Sequence, residues 1–351
     1  MAFEWELDPS ALFRERHGQM LTQGIPASDC DALGSAITSM WADEPGGWSA
    51  EWSSVAERYA LSGDHLLASQ AYGWARFPAL ANESKRHAFR RQLDEYLLAG
   101  PRFGVQFDRL HLDLRYGSDA LSLPVHLFGK ASLPPEAPVV LISGGLDSWK
   151  MDLHSMILSM AMALPARILA FDIPGTGESP MPLSRRSTEI IDGIVTAARG
   201  MTSGPVMQVG VSIGGYFSAY SALAGIVDAA VSFGGPVEAA FEAGEWPPGM
   251  AGILGNALGL SEEPSPAAVS REMAALSLHD LVTADAGKVP VLAIDGANDM
   301  IVPQHDVLLF AKRRGSTAHL IPDAGHCAAG RRPEANEVIT QWLADRLGEL
   351  G

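Results

Sequence analysis

The stretch Val209-Gly-Val-Ser-Ile-Gly-Gly215, preceded by Pro205-Val-Met-Gln208, decides how the rest of the chain is interpreted. Its central five residues fit the pattern G-x-S-x-G, in which a serine occupies a sharp turn between a strand and a helix. The glycines are needed because the turn is strained and the helix packs closely against the strand. The pattern also arises by chance in loops rich in Gly and Ser. Here an apolar run precedes it and a helical stretch, Tyr216–Gly225, follows, so we predict that Ser212 is a nucleophile.

Composition limits the function classes. A formal net charge of −16 argues against nucleic acid and anionic membrane surfaces as partners. The two cysteines, Cys30 and Cys327, are expected to be reduced thiols, and the acidic N-terminus lacks a signal-peptide layout, which together predict a cytoplasmic protein. The most apolar stretch, Met156–Phe171, is interrupted by proline and arginine, so it predicts a buried helix and strand instead of a membrane span.

Residues 1–100 predict a small helical domain. Helical periodicity is clear in Trp52–Asp64, in His65–Phe77 and in Asn82–Ala99. Five of the eight tryptophans lie in this region, and we expect them to form its core. The basic residues of the third helix, among them Lys85, are expected on a solvated face.

Residues 101–351 predict an α/β domain. After a possible hairpin of two strands, apolar strands alternate with helices, which is typical of a mostly parallel sheet with helices on both faces. The predicted elements are helix 151–163, strand 167–172, helix 186–199, strand 205–211, helix 213–225, strand 228–233, strand 289–295, helix 304–313, strand 317–321 and helix 333–348. An insertion rich in Gly and Pro, at about residues 236–285, is expected to be a lid above the strand ends.

A serine hydroxyl needs a base and a group that orients the base. In strand–turn–helix serine sites the partners follow in the order serine, acid, histidine. Asp295 and Asp299 both follow the strand that starts near residue 289; we favour Asp299 as the acid because Asp295 is still in the strand tip, where a structural role is expected. His326 lies on a loop directly after the next strand, so we predict that it is the base.

The developing oxyanion also needs donors. One is expected to be the backbone N–H of Ile213, the residue after the nucleophile. The other is expected from the loop Gly144-Gly-Leu-Asp-Ser148, whose glycines allow close approach to a substrate. The sequence does not decide between the N–H of Gly145 and that of Leu146.

Two further stretches have a structural and a functional interpretation. The loop Phe171–Ser179 resembles a phosphate loop but lacks its Lys-Ser/Thr ending, so we expect a tight structural loop anchored by Asp172. The acidic cluster of Glu238, Glu242 and Glu245 is solvated surface by default. Because the cluster follows a strand end, contact of one of the three glutamates with the substrate stays open.

These residues resemble the α/β-hydrolase superfamily, and within it the branch of FrsA-type esterase-like proteins, dihydropseudooxynicotine hydrolase and the fungal pigment hydrolases that shorten polyketides. The resemblance rests on Gly144-Gly-Leu-Asp-Ser148, Phe171-Asp-x-Pro-Gly-x-Gly-Glu178, Gly210-x-Ser-x-Gly-Gly215, Ser232-Phe-Gly-Gly235, Gly296-x-x-Asp299 and Gly325-His-Cys327. It implies the triad Ser212, Asp299 and His326, an additional pocket glutamate for which Glu242 is our choice, and a homodimer. One departure is Asp295-Gly296, where the branch often has His-Gly.

The resemblance implies hydrolysis of a carbon–carbon bond next to a ketone, in a hydrophobic aryl-ketone or polyketide-like small molecule. An esterase, thioesterase, lactonase or acyltransferase acting on a natural-product ester uses the same triad and stays an alternative. A non-catalytic ligand receptor on the same scaffold is disfavoured by a complete triad. We expect neither a cofactor nor a metal.

Overall fold

The computed structural model describes residues 2–242, 249–284 and 287–350. These residues separate into two compact units. The helical unit comprises the described residues of Met1–Gly104 and of Pro248–Pro264, and the sheet unit comprises those of Val105–Pro247 and of Ser265–Gly351. No helix in the described ranges combines the length and the apolar character needed to cross a bilayer.

Helices and strands follow one another in chain order as listed here. The helices are α1 Pro9–Thr22, α2 Ala27–Ala36, α3 Trp48–Leu61, α4 His65–Arg76, α5 Glu83–Ala99, α6 His154–Ala163, α7 Ser187–Met201, α8 Ile213–Leu223, α9 Ala239–Glu242, α10 Met250–Ala257, α11 Pro266–Ala274, α12 His279–Ala284, α13 Gln304–Leu308 and α14 Arg332–Leu350. The strands are β1 Gln106–Tyr116, β2 Asp119–Gly129, β3 Val139–Ser143, β4 Arg167–Phe171, β5 Val206–Val211, β6 Ala229–Phe233, β7 Val291–Gly296 and β8 Thr317–Ile321. Short 3-10 helices cover Gly100–Arg102, Lys150–Leu153 and His326–Ala328.

Aromatic side chains form the core of the helical unit. Trp48, Trp52, Trp74 and Phe77 pack on one another and are almost fully buried. The indole N–H of Trp48 donates to the carbonyl of Trp74 at 2.6 Å, so the polar edge of this ring has a partner inside the core. Burial in a continuous aromatic cluster makes these tryptophans packing residues.

Lys85 corrects one expectation about this unit. Its side chain is fully buried and not solvated, and its Nζ donates to the carbonyl of Phe77 at 2.6 Å. Burial lowers the pKa of Lys85 well below its ordinary value, with the Arg76 charge adding to the effect. Helical periodicity alone does not reveal this because the carbonyl groups that receive the ammonium come from outside the helix.

Part of the insertion belongs to the helical unit. Asn256 of α10 accepts from the Phe3 N–H at 3.2 Å and donates to the Phe3 carbonyl at 3.1 Å. A Cβ at Gly252 would lie 2.2 Å from the Trp5 ring, so a glycine is needed where the helix meets this ring. The chain segment around Phe3 and Trp5 and helix α10, which are about 250 residues apart in sequence, therefore form one contact surface.

The predicted α/β class is confirmed. The sheet has the order β1-β2-β4-β3-β5-β6-β7-β8; β1, β2 and β4 pair antiparallel, and every pair from β4 to β8 is parallel. Strands β3, β5, β6 and β7 are buried along their whole length, which explains their uninterrupted apolar runs. The predicted helix 304–313 is too long, because the N–H groups of Phe310 and Ala311 bond to carbonyls three residues back and the chain continues as turns.

The parallel order brings separate loops to one edge of the sheet. Strand β3 lies beside β5, so the loop after β3 faces the turn after β5. Strand β7 lies beside β8, so the loops after these two strands are neighbours as well. The carboxyl ends of parallel strands are where such sheets place their ligands.

Candidate active site

Ser212 occupies a strained turn between β5 and α8. Its backbone has φ 56° and ψ −126°, a region that costs a residue with a Cβ about 1–3 kcal/mol. The turn is held by the Ser212 N–H, which donates to the Phe233 carbonyl at 2.8 Å. A Cβ at Gly210 would lie 1.8 Å from the Gly214 carbonyl oxygen, so the motif glycines follow from this close approach. The arrangement raises the hydroxyl of Ser212 above the end of the strand.

Two side chains from distant loops line up with this serine. Nε2 of His326 lies 2.9 Å from Oγ of Ser212, and Nδ1 of His326 lies 2.6 Å from Oδ2 of Asp299. The other carboxylate oxygen of Asp299 accepts the N–H groups of Ile301 at 2.6 Å and Val302 at 3.1 Å. Asp299 is thus fixed from both sides and in turn orients the imidazole.

The surroundings shift both groups toward their charged forms. Burial opposes the ionisation of Asp299, but the hydrogen bond from His326 and the neighbouring carboxyl of Asp295 outweigh it, so the pKa of Asp299 is lowered. Burial likewise opposes the protonation of His326, but the Cys327 sulfur and the Asp299 carboxylate outweigh it, so the pKa of His326 is raised well above its ordinary value. The imidazole is 23% exposed on its side chain, so one face remains open to a reacting molecule.

Asp295 joins this group from the tip of β7. It is 1% exposed, and its Oδ1 accepts the N–H groups of Gly296 and Cys327, both at 2.8 Å. Its Oδ2 is buried and has no hydrogen-bond acceptor or donor assigned among the described residues. Burial, then the neighbouring carboxylate of Asp299, raise the pKa of Asp295 to about 8.

The predicted oxyanion loop lies against the nucleophile. A Cβ at Gly145 would be 2.9 Å from Cβ and 3.3 Å from Oγ of Ser212. Neither Gly145 nor Leu146 donates its N–H to any acceptor in the described part of the chain. Ile213, at the first position of α8, is buried directly beside the serine. The roles of the three as donors stay a prediction, and the choice between Gly145 and Leu146 stays open.

The loop Phe171–Ser179 is a tight structural loop. Asp172 is buried at its start and accepts the N–H groups of Lys150 and Glu178, both at 2.9 Å. A Cβ at Gly177 would lie 2.1 Å from the Asp172 carboxylate. The buried ammonium of Lys150 contacts Asp172 and lies 2.9 Å from Glu178, so an ion-pair cluster closes the loop.

The two described residues of the acidic cluster have neighbours of their own. Glu238 pairs with His279, and Glu242 is exposed in the wall of a cavity of about 530 Å³ that also includes Phe241 and Arg271. Ser212 does not line that cavity. Glu245 lies outside the described residues. Substrate contact by Glu242 therefore stays a prediction.

Two contacts near the site were missed by sequence reasoning. Cys327 lies with its sulfur 3.5 Å from Nε2 of His326, and its N–H reaches Asp295. A signal was available, since Cys327 directly follows the predicted base and Asp295 precedes the predicted acid by four positions. Lys150 had no such signal, because its two carboxylates come from a loop more than twenty residues away.

Asp295, Asp299 and His326 also have the residue types of a metal site, with ligand atoms within 4.8 Å of one another. The pairing of Asp299 with His326 argues against this use. Their contact of 2.6 Å is a hydrogen bond, and a cation would require both atoms to turn toward it at about 2.0–2.2 Å. The geometry fits a proton relay better than a metal centre.

Comparison with known proteins supports this architecture. No protein-family model matches the chain. The structure of wild-type AbyA5 superposes with a TM-score of 0.82 at 20% identity, covering 98% of this chain and 96% of that one. The structure of 2,6-dihydroxy-pseudo-oxynicotine hydrolase superposes with a TM-score of 0.70 at 21% identity, covering 94% and 95%.

The chain therefore has the α/β-hydrolase fold, and the predicted resemblance is confirmed at this level. Among curated proteins, the alpha/beta hydrolase pydG of an Acremonium species is 24% identical over 233 residues, which span 58% of this chain and 54% of that relative. The chain thus matches about half the length of this relative.

Proposed function

We propose that this protein is a serine hydrolase in which Ser212 is the nucleophile, His326 the general base and acid, and Asp299 the group that orients the imidazole. The contact of 2.9 Å between Ser212 Oγ and His326 Nε2, continued to Asp299, carries this proposal. Such contacts are within the reach needed for proton transfer. The strained backbone at Ser212 supports it, since strain of this kind persists where function requires it.

The preferred reaction is hydrolysis of a carbon–carbon bond next to a ketone in a hydrophobic aryl-ketone or polyketide-like substrate. Support comes from the resemblance of the motifs to that branch and from the fold shared with 2,6-dihydroxy-pseudo-oxynicotine hydrolase over 94% of the chain. Ser212 Oγ would bond to the ketone carbon while its proton passes to His326 Nε2. The N–H groups of Ile213 and of Gly145 or Leu146 would stabilise the resulting oxyanion.

Collapse of this intermediate breaks the carbon–carbon bond and leaves the electron pair on the departing carbon. The proton on His326 Nε2 is then transferred to that carbon, and the acyl group stays on Ser212. Water, deprotonated by the same nitrogen, releases the acyl group as a carboxylic acid. The raised pKa of His326 suits this sequence, because the imidazole holds the serine proton until the leaving group departs.

Hydrolysis or transfer of an ester, thioester or lactone is the second candidate. It is supported by the same contacts between Ser212, His326 and Asp299, which serve this chemistry without a further pocket group. An alkoxide or thiolate leaving group is far more stable than a carbanion, so the triad and the oxyanion donors suffice for this chemistry.

A substrate panel separates the two reactions. We would assay β-diketones against aryl esters and thioesters with the native protein, Ser212→Ala and Ser203→Ala, a matched control on an exposed serine. We expect β-diketone turnover that is lost in Ser212→Ala and kept in Ser203→Ala. Turnover of esters alone would replace the first reaction by the second. Folded native protein that turns over neither and takes up no fluorophosphonate would support a ligand receptor.

A further inference from the structure

A buried carboxyl group beside the triad has no part in the reaction proposed above. Asp295 places Oδ1 on the N–H of Cys327, the residue that follows the base. Its Oδ2 is buried without a partner assigned among the described residues. The same carboxyl belongs to a group with Asp299 and His326 whose polar atoms lie within 4.8 Å of one another. One of its oxygens therefore lies within 4.8 Å of a carboxylate oxygen of Asp299 and of a ring nitrogen of His326.

The charges around Asp295 determine its protonation state. Two carboxylates that share a buried site cannot both ionise at low cost, so one of them retains a proton. Asp299 is stabilised as the anion by His326 and by the N–H groups of Ile301 and Val302. Asp295 has only the two N–H donors at Oδ1. The proton accordingly resides on Asp295, whose unpartnered Oδ2 then becomes a donor.

We propose that Asp295 is a positioning residue, an inference that rests on the proposed function. As a carboxylic acid it donates from Oδ2 to Asp299 and accepts the Cys327 N–H at Oδ1. These two contacts fix the positions of the acid and the base of the triad relative to each other. Loss of the Oδ2 contact would release Asp299, and loss of the Oδ1 contact would release Cys327 and with it the neighbouring His326. The Oδ1 contact matters because Cys327 has φ 51°, a strained conformation that needs support.

In the described part of the chain, no charged residue lies opposite Asp295 on the neighbouring strands. On β8 the residue opposite Asp295 is Leu320, and on β6 the strand ends at Phe233 beside Ile294. Across the site the titratable neighbours are Asp299, His326 and Cys327. Protonation of Asp295 is therefore coupled to the triad itself, and the two titrate as one system.

This coupling predicts a pH profile. Deprotonation of His326, whose pKa is raised well above its ordinary value, increases the reactivity of Ser212 because only the neutral imidazole can accept the serine proton. The pKa of Asp295 is raised to about 8; above that pH the carboxyl loses its proton, the hydrogen bond to Asp299 is replaced by repulsion, and reactivity falls. The native profile should therefore have an alkaline limb that is set by Asp295.

The test measures the rate of Ser212 labelling by a fluorophosphonate between pH 5 and 10. Asp295→Asn retains an acceptor for both N–H groups and an amide donor for Asp299, but it cannot ionise. We expect this variant to keep most of the native rate near pH 7 and to lose the alkaline limb. Asp295→Ala should label about tenfold more slowly or worse at every pH, since it removes hydrogen bonds to charged groups. Asp323→Asn, on an exposed loop residue before His326, is the matched control and should follow the native profile.

The outcomes separate this inference from the proposed function. An alkaline limb that persists unchanged in Asp295→Asn, or native labelling rates in Asp295→Ala, overturn the role of Asp295 while Ser212 remains a nucleophile. Labelling that requires a divalent cation and is abolished by a chelator overturns it in favour of a metal at the three-residue group. Absence of labelling in the folded native protein overturns the proposed function instead.

Discussion

The sheet unit contains two buried clusters of carboxyl groups, and they differ in their cations. Asp172 and Glu178 share the buried ammonium of Lys150, whereas the titratable base that lies with Asp295 and Asp299 among the described residues is the imidazole of His326. Burial would raise the pKa of Asp172, but Lys150 outweighs it and the pKa is lowered. In the second cluster the pKa of Asp295 is raised to about 8.

The cation of each cluster determines what the cluster can do. A permanent cation that matches buried carboxylates gives a fixed ion pair, which closes a loop and does not exchange protons near neutral pH. When two carboxyl groups share one titratable base, the groups exchange protons in the pH range where enzymes work. The first cluster is therefore expected to serve stability and the second to serve reactivity.

The largest effect is expected from a substitution that disrupts the second cluster. Asp299→Asn keeps the shape of the acid but loses its charge, so His326 is no longer held in the tautomer that accepts the serine proton. By analogy with serine proteases, we expect kcat to fall about 10⁴-fold. The measurement is turnover of whichever panel substrate the native protein accepts, with thermal unfolding as the control for folding. A loss below about tenfold, equivalent to 1.4 kcal/mol, would show that Asp299 does not orient the base.

The first cluster is broken by Lys150→Met, which leaves two carboxylates without their cation in a buried site. We expect the free energy of unfolding to decrease by about 3–5 kcal/mol. Urea denaturation measures it, and the double variant Lys150→Met/Asp172→Leu should recover part of the loss. The molecules that remain folded should label at Ser212 at the native rate. Slower labelling of folded protein would contradict the assignment of this cluster to stability.

The two clusters are also expected to respond to pH with opposite sign. Because the pKa of Asp295 rises from 3.8 to about 8 on folding, its stabilising contribution is complete below about pH 3.8 and is lost progressively as the pH rises to about 8. Asp295→Asn does not titrate and should gain stability relative to the native protein between pH 5 and pH 8, by about 2 kcal/mol or more. Urea denaturation at the two pH values gives this difference. A difference that does not change with pH would mean that Asp295 is ionised in the folded protein.

The smallest effect is expected at the edge of the first cluster. The Glu178 side chain is 11% exposed and is shared between Lys150 and Arg109, so water screens part of its charge. Glu178→Gln should lower the free energy of unfolding by about 1 kcal/mol without changing the labelling rate. Destabilisation as large as that of Lys150→Met would indicate that Glu178, and not Asp172, is the main partner of the lysine.

Much of the sheet, and the proximity of Ser212, Asp299 and His326, could be predicted because the relevant signals are local. The buried parallel strands β3, β5, β6 and β7 are short apolar runs. Ser212, Asp299 and His326 lie one, three and five residues after the ends of β5, β7 and β8. Helices α1 and α2 were not identified, since α1 buries only Leu12, Phe13 and Met20 and carries a weak apolar pattern.

Contacts between residues that are far apart in sequence could not be predicted. Lys85 and Lys150 resemble surface lysines, and only the carbonyl and carboxyl groups supplied by other segments make their burial tolerable. The association of α10 with Phe3 and Trp5 depends on glycines whose partners are about 250 residues away. The contact of Asp295 with the triad likewise depends on how β7 ends beside the histidine loop.

The central claim is that Ser212 is made nucleophilic by His326 and Asp299. Its most direct test is fluorophosphonate labelling of the native protein followed by mapping of the modified peptide, with His326→Ala and His319→Ala compared in parallel. We predict a single adduct on Ser212 that is lost in His326→Ala and kept in His319→Ala. An adduct elsewhere, or labelling of Ser212 at the native rate without the imidazole of His326, would contradict it.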